Sequence, residues 1–206
     1  MLKTFELPQY ILGQYPHEKI THLKLQKLLY YVKVWGIVAG VELYQGEFEK
    51  WERGPVNTDV YHKYKSFGRD PIVQDPHIEQ PNVAGREKEL IDFIVASYMP
   101  ISAISLSAMT HKEAPWIETP QNSVISHDKI LEFYSQQSFA RNFNPLDVAN
   151  KPYFVVQSNS WHAYTLDMTV DDMERSAQFS SFKDYLALST QAQVDVEKLI
   201  RSLPEF

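Results

Sequence analysis

The stretch Thr21–Gly36, THLKLQKLLYYVKVWG, decides the fold of this chain. Its apolar side chains recur at spacings of three and four residues, which predicts an amphipathic helix with one core-facing stripe. Thr21 is suited to cap this helix, because its hydroxyl can accept a hydrogen bond from a free amide of the first turn. The predicted stripe consists of Leu25, Leu28, Leu29, Val32, Trp35 and Ala39.

Large, half-polar side chains lie between the apolar ones of the same helix. Lys24, Lys27 and Tyr31 flank the stripe, from where they can reach either the next element of the fold or a partner. The whole chain holds 12 Tyr and 4 Trp, and such side chains bury large areas at low conformational cost. This enrichment is typical of a protein that works through contact.

The composition is that of a globular protein with a core, since 44% of the 206 residues are hydrophobic. The formal net charge of −6 argues against nucleic-acid binding, which requires a basic face, and suits a basic protein partner. Cysteine is absent, which removes disulfides and thiolate chemistry. With no signal-peptide pattern and no apolar run of membrane-spanning length, we expect a cytoplasmic protein without a membrane partner.

Glycine, proline and capping residues divide the rest of the N-terminal region into short elements. Gln45-Gly46 marks a candidate hairpin turn, and Pro55 suits the first position of the helix that follows. Residues 69–83 are predicted to be a loop, and residues 113–120 to be irregular. Helices are predicted over residues 7–15, 55–67, 84–98, 102–111 and 126–137, with Leu90, Phe93, Ile94, Ala96, Ser97, Ile104, Leu106 and Met109 facing inward.

The composition changes at residues 141–152, which predicts a domain over 1–143 and a separate extension over 144–206. In the extension, two short strands are expected around residues 158–160, and helices are expected from Thr169 and over about 190–202. The predicted fold class is therefore mainly α: a compact helical domain with a small β-hairpin, followed by a C-terminal α+β extension.

The histidines offer one enzymatic alternative. No two of the seven have helical metal-ligand spacing and no HExxH occurs, so we predict no metal site, no cofactor and no catalytic residue. His111, Glu113 and His62 nevertheless have the chemistry of a small hydrolase, although no nucleophile motif accompanies them. His111 is better explained by a helix C-terminus, where an imidazole can bond free carbonyls.

Three motifs follow one another along the chain: ITHLKLQKLLYYVKVWG at 20–36, FEKWERGPVNTDVYHKYKSFG at 48–68 and LSAMTHKEAPW at 106–116. In this order they resemble the Panacea domain of SocA-like and GepA-like proteins, over about residues 12–134. The family pattern is a Leu-Gln-Lys-Leu-Leu-Tyr-Tyr helix, a Trp-x-x-Gly-Pro-Val turn before a Tyr-containing helix, and a segment with Thr-His and Pro-Trp.

The resemblance implies a mainly helical domain found in antitoxins of bacterial and prophage toxin–antitoxin pairs, some of them linked to phage defence. It predicts a non-enzymatic antitoxin of a type II pair that neutralises a cognate protein toxin by direct binding. One branch of the family implies an alternative, in which the protein delivers its toxin to a cellular protease. A nucleic-acid-binding regulator is a third hypothesis, opposed by the acidity and the lack of a helix-turn-helix motif.

Aromatic residues are the predicted contact positions, because Trp and Tyr are over-represented where proteins bind each other. Trp51 stands at the Gly-Pro turn, where it either covers the core or contributes a semi-exposed binding surface. The extension is the expected place for toxin specificity. The candidate partner-binding residues are Tyr31, Trp35, Trp51, Tyr61, Trp116, Trp161 and Phe179.

Overall fold

One buried helix organises the structure. The computed structural model describes residues 1–75 and 77–143, and its longest described helix, α2, runs from His22 to Val38. The Thr21 hydroxyl accepts from the Lys24 amide at 3.2 Å, as the predicted cap. Every residue from Lys24 to Gly36 is buried, so neighbours surround α2 on all sides, and the single-stripe prediction was too narrow.

The described elements confirm the mainly α prediction, with about 54% helix and a two-stranded antiparallel hairpin. In chain order they are α1 (Glu6–Gln14), α2, β1 (Glu49–Trp51), β2 (Gly54–Val56), α3 (Thr58–Tyr64), α4 (Gly85–Tyr98), α5 (Ala103–Thr110), α6 (Ala114–Ile117) and α7 (His127–Tyr134), with 3-10 turns at Lys65–Phe67 and Ser138–Phe143. Helices α4, α5 and α7 and strand β2 all pack on α2.

The hairpin turns later in the chain than the sequence suggested. Strands β1 and β2 pair with Lys50 opposite Pro55, so the turn is Glu52-Arg53 and not Gln45-Gly46. The chain around Tyr44 instead pairs with the N-terminus through a bridge to Leu2. Pro55 lies in β2 and does not start a helix, because Asn57 provides the cap of α3 through its side chain. Residues 122–125 pair with the other edge of β1.

Three helical predictions needed correction. The buried face of α4 is Ile91, Ile94, Val95 and Tyr98, which shifts the predicted inward face by about one position. Ile104 of α5, predicted to face inward, is 79% exposed. Residues 114–117, predicted to be irregular, form α6 with a proline in the first turn, a position where the missing amide costs nothing.

The predicted extension over 144–206 lies outside the described residues, together with its strands, its helices, Trp161 and Phe179. Within the described part, no single helix is long and apolar enough to cross a membrane. The α4–α5 pair passes the same test by length and composition only, and is bent by 101°.

Replacing Asn57 with Ala is expected to lower the free energy of unfolding by about 2 kcal/mol. The buried Asn57 side chain caps α3 by accepting from the Val60 amide at 3.0 Å, and it also donates to the Glu47 carbonyl at 2.9 Å. Urea titration followed by circular dichroism measures the loss. Ser126→Ala removes the exposed cap of α7, whose bond to Lys129 is 3.4 Å long, and should cost about 0.5 kcal/mol; equal losses would contradict the explanation.

Candidate protein-interaction site

Helix α2 holds the hairpin from the core side through two polar side chains. The side chain of Gln26 forms two hydrogen bonds with the backbone of Asn57. Its oxygen accepts from the Asn57 backbone amide at 2.8 Å, and its nitrogen donates to the Asn57 backbone carbonyl at 3.0 Å. The Lys27 ammonium donates to the Pro55 carbonyl at 2.9 Å. The first motif therefore fixes the position of the second through hydrogen bonds to its backbone.

Helices α5 and α6 also hold the hairpin turn. The imidazole Nε2 of His111 donates to the Glu52 carbonyl at 2.8 Å, and the Ser107 hydroxyl donates to the Arg53 carbonyl at 2.8 Å. The indole of Trp116 donates to the Trp51 carbonyl at 3.2 Å. His111 caps the end of α5 as predicted, but the carbonyl that it bonds belongs to the hairpin.

The second and third motifs thus place three partly exposed aromatic rings around the hairpin, here called the aromatic surface: Trp51, Tyr61 and Trp116. Trp51 and Tyr61 meet edge to face with centroids 5.0 Å apart. The Lys50 ammonium lies 4.3 Å from the ring centre of Trp116. All three rings are intermediate in burial, which leaves part of each available to a partner while the scaffold fixes its position.

Exposed apolar side chains also lie near the hairpin. Val124 lies directly opposite Glu49 in the neighbouring strand segment, so it shares the sheet face that Glu49 and Trp51 present. Val124 is 52% exposed, and Ile117 at the end of α6 is 51% exposed. Partly exposed apolar and aromatic groups around a hydrogen-bonded frame are typical of a surface that binds protein.

A buried polar cluster lies behind the hairpin. The carboxylate of Glu113 accepts from the Tyr31 hydroxyl at 2.9 Å and from the Tyr134 hydroxyl. Burial raises the pKa of Glu113 to about 7, against the opposing effects of both tyrosines and of Lys27. Burial also lowers the pKa of Lys27 to about 7, opposed by the charge of Glu113. Desolvation therefore disfavours charge on both groups, and each partly stabilises the other.

The structure separates the predicted contact residues into two groups. Trp51 and Tyr61 are in ring contact, and the Trp116 indole bonds the Trp51 carbonyl, so all three lie at the hairpin. Tyr31 and Trp35 lie in the core at 0% and 2% exposure, where Tyr31 stacks on Tyr98 with centroids 4.0 Å apart. Such buried rings offer no area to a partner and pack against other core rings instead.

The residues of the hydrolase alternative are engaged separately. His111 bonds the Glu52 carbonyl, Glu113 bonds two tyrosines, and His62 is exposed beside Tyr61 with ring centroids 5.6 Å apart. No hydrogen bond found in residues 1–75 and 77–143 joins these three side chains. The same ranges contain no group of three or more His, Asp or Glu placed to hold a metal ion.

Sequence reasoning missed the roles of Gln26, Lys27 and Glu113. Lys24 and Lys27 were predicted to reach either another element of the fold or a partner. In the structure, Lys27 bonds the Pro55 carbonyl of the hairpin, and Lys24 bonds the carbonyls of Met99 and Ile101. The available signal was polar side chains inside an otherwise apolar stretch. Buried polar groups require partners, but the sequence does not say which carbonyls supply them.

Residues 25–117 match the model of a family described as antitoxin SocA-like, Panacea domain. This confirms the resemblance over a shorter span than residues 12–134, from within α2 to the end of α6. The match covers the elements that hold the hairpin. Neither the curated proteins nor the solved structures give a significant match to the chain.

Proposed function

We propose that the chain is the antitoxin of a type II toxin–antitoxin pair, on the basis that residues 25–117 match the model of the antitoxin SocA-like Panacea domain. It neutralises a cognate protein toxin by direct binding that covers the toxin's active or target-binding surface. The family match carries the antitoxin role. The aromatic surface supports binding as the mechanism, because its side chains belong to the types that dominate binding energies between proteins.

The organisation of the aromatic surface favours a binding role over a catalytic one. Hydrogen bonds to the carbonyls of Trp51, Glu52 and Arg53 fix the backbone of the turn, so little ordering is left to occur on binding. A surface that is ordered in advance loses less entropy when a partner docks. The net charge of −6 favours encounter with a basic toxin. We place the protein in the cytoplasm, and we assign toxin specificity to residues 144–206.

Co-expression with the product of the adjacent gene tests this function. Growth rescue with an intact toxin recovered in a stable complex supports direct neutralisation. If growth is rescued while the toxin disappears, and the toxin persists when proteases are removed, delivery to a protease replaces occlusion as the mechanism. A neighbour that is not toxic, together with no complex, would overturn the antitoxin role. Removing residues 144–206 then tests whether specificity resides there.

Trp51→Ala is expected to weaken toxin binding by about 30-fold, or ~2 kcal/mol, since a half-buried Trp packed edge to face on Tyr61 has the features of a binding hot spot. Isothermal titration calorimetry measures the change, and a thermal melt confirms that the variant is folded. Val73→Ala is the matched control, because Val73 is an apolar side chain, 77% exposed, on the 69–83 loop. Equal effects of both substitutions would remove Trp51 from the interface.

A further inference from the structure

A cavity of about 280 Å³ lies where the chain turns back after α2. One wall is the last part of α2, with Gly36 and Ile37, and the facing wall is the returning chain, with Val41 and Leu43. His127, the first residue of α7, borders a third side. None of the lining residues belongs to the aromatic surface, so the cavity is a second candidate site.

Lys33 brings a buried cation to this cavity. Lys33 lines the cavity and is 5% exposed. Its ammonium donates to the Tyr44 carbonyl at 3.2 Å and to one carboxylate oxygen of Glu47 at 3.3 Å. Both bonds are at or beyond the long end of the usual N–H···O range, and an ammonium has three donors. One donor therefore has no acceptor among residues 1–75 and 77–143.

The carboxylate that faces Lys33 leaves the cavity short of negative charge. Glu47 is 55% exposed, where water screens its charge, whereas the ammonium that it bonds is buried. The same Glu47 oxygen lies 3.8 Å from Nε2 of His127, which is beyond hydrogen-bonding distance. A buried charge is unfavourable without close partners, so an anion inside the cavity would stabilise Lys33, and His127 offers it a second donor.

The remaining walls are mainly apolar. Ile37 and Val41 are half-buried, so a ligand meets apolar surface next to the ammonium. Gly40 is exposed and has no atom within 4 Å of a Cβ built there, which leaves this side open for entry. Glu42 is exposed at the border and disfavours an anion there. The charged end of a ligand is therefore placed at Lys33.

We propose that this cavity binds a short, branched aliphatic carboxylate, with the carboxylate bonded to Lys33 and the alkyl chain packed on Ile37, Val41 and Leu43. At about 30 Å³ for each water-sized group, a volume of about 280 Å³ accommodates about eight non-hydrogen atoms. The inference goes beyond the antitoxin role and does not depend on it, because the ligand should bind the isolated protein.

The test compares isocaproate with its neutral isostere isocaproamide and with acetate, which lacks the branched chain. Each is titrated into the full-length protein at neutral pH and followed by isothermal titration calorimetry. We expect isocaproate to bind at least about tenfold more tightly than isocaproamide, since hydrogen bonds between charged groups are the stronger class. It should also exceed acetate by at least about tenfold, because its extra carbons are buried. Equal affinities, or no binding of isocaproate, would overturn the proposal.

A free acid and the C-terminal residue of a partner chain present the same chemistry. N-acetyl-leucine has the carboxylate and the branched side chain of a chain end, whereas isocaproate lacks its amide group. Tighter binding of N-acetyl-leucine than of isocaproate would assign the cavity to a chain end. Equal or weaker binding of N-acetyl-leucine would assign it to a free acid.

Lys33→Met keeps most of the side-chain stem and should weaken isocaproate binding by at least about tenfold. Lys24→Met is the matched control, because Lys24 is another buried lysine of α2, 8% exposed, whose ammonium bonds the carbonyls of Met99 and Ile101 away from the cavity. Ile37→Ala removes part of a half-buried wall and should weaken binding about fivefold. Thermal melts show which variants fold. Unchanged affinity in whichever of Lys33→Met and Ile37→Ala folds would contradict the proposed site.

Discussion

Gly54→Ala is expected to destabilise the domain by about 3 kcal/mol or more. Gly54 has φ +94°, a conformation that side chains with a Cβ rarely adopt. A Cβ at this position would lie 2.5 Å from the Thr110 hydroxyl oxygen and 2.6 Å from the Lys27 nitrogen. Both contacts are too close, and the Lys27 nitrogen also holds the hairpin through the Pro55 carbonyl. Urea unfolding of the two proteins measures the loss.

Gly40→Ala is the matched control for this prediction. Gly40 also has positive φ, at +66°, but no atom lies within 4 Å of a Cβ built there. The substitution therefore carries the backbone strain without the collision, and should cost about 1 kcal/mol. If Gly54→Ala costs no more than Gly40→Ala, the close packing of the hairpin against Lys27 and Thr110 does not matter to stability.

Glu113→Gln is expected to gain stability relative to the parent as the pH rises, by about 3 kcal/mol between about pH 4.5 and 8. Burial raises the pKa of Glu113 from 4.5 to about 7. Within that window the folded protein keeps a proton that the unfolded chain has lost, so the stability of the parent falls as the pH rises. Glutamine does not titrate, so the variant avoids this loss.

Urea unfolding of both proteins at several pH values measures the difference. Lys27 changes the result in the same direction. In the variant, the Glu113 charge no longer favours the buried Lys27 ammonium. Protonation of Lys27 therefore lowers the stability of the folded variant at low pH more than it does in the parent. Glu118→Gln controls for the removal of one acidic side chain. A stability difference that does not change with pH, or that favours the parent at higher pH, would mean that Glu113 is not held in a desolvated site.

The local elements of the fold could be predicted because their signals are local. The cap at Thr21, the helix that it begins and the helix after Ser126 follow from spacing and capping chemistry. The hairpin was misplaced because Gln45-Gly46 and Glu52-Arg53 are both polar turn candidates. The choice between them depends on distant partners: Leu2 pairs with Tyr44, while Gln26 and Lys27 bind the chain after Gly54.

The candidate site was predictable in its residue types more than in its geometry. Trp51, Tyr61 and Trp116 stood out as large half-polar rings, and the structure places all three at the hairpin. Tyr31 and Trp35 have the same chemistry but are buried, because burial depends on which elements surround α2. Glu113 was considered only as a partner of His111, since no local pattern indicates that two tyrosines from other helices meet it.

One titration tests the central claim most directly. The purified toxin, produced from the adjacent gene, is assayed for its own activity while increasing amounts of this protein are added. We predict that activity falls to background at a fixed molar ratio, that the toxin chain stays intact, and that the two proteins elute together in gel filtration. Full toxin activity at a large excess of the folded protein, with separate elution, would contradict the account.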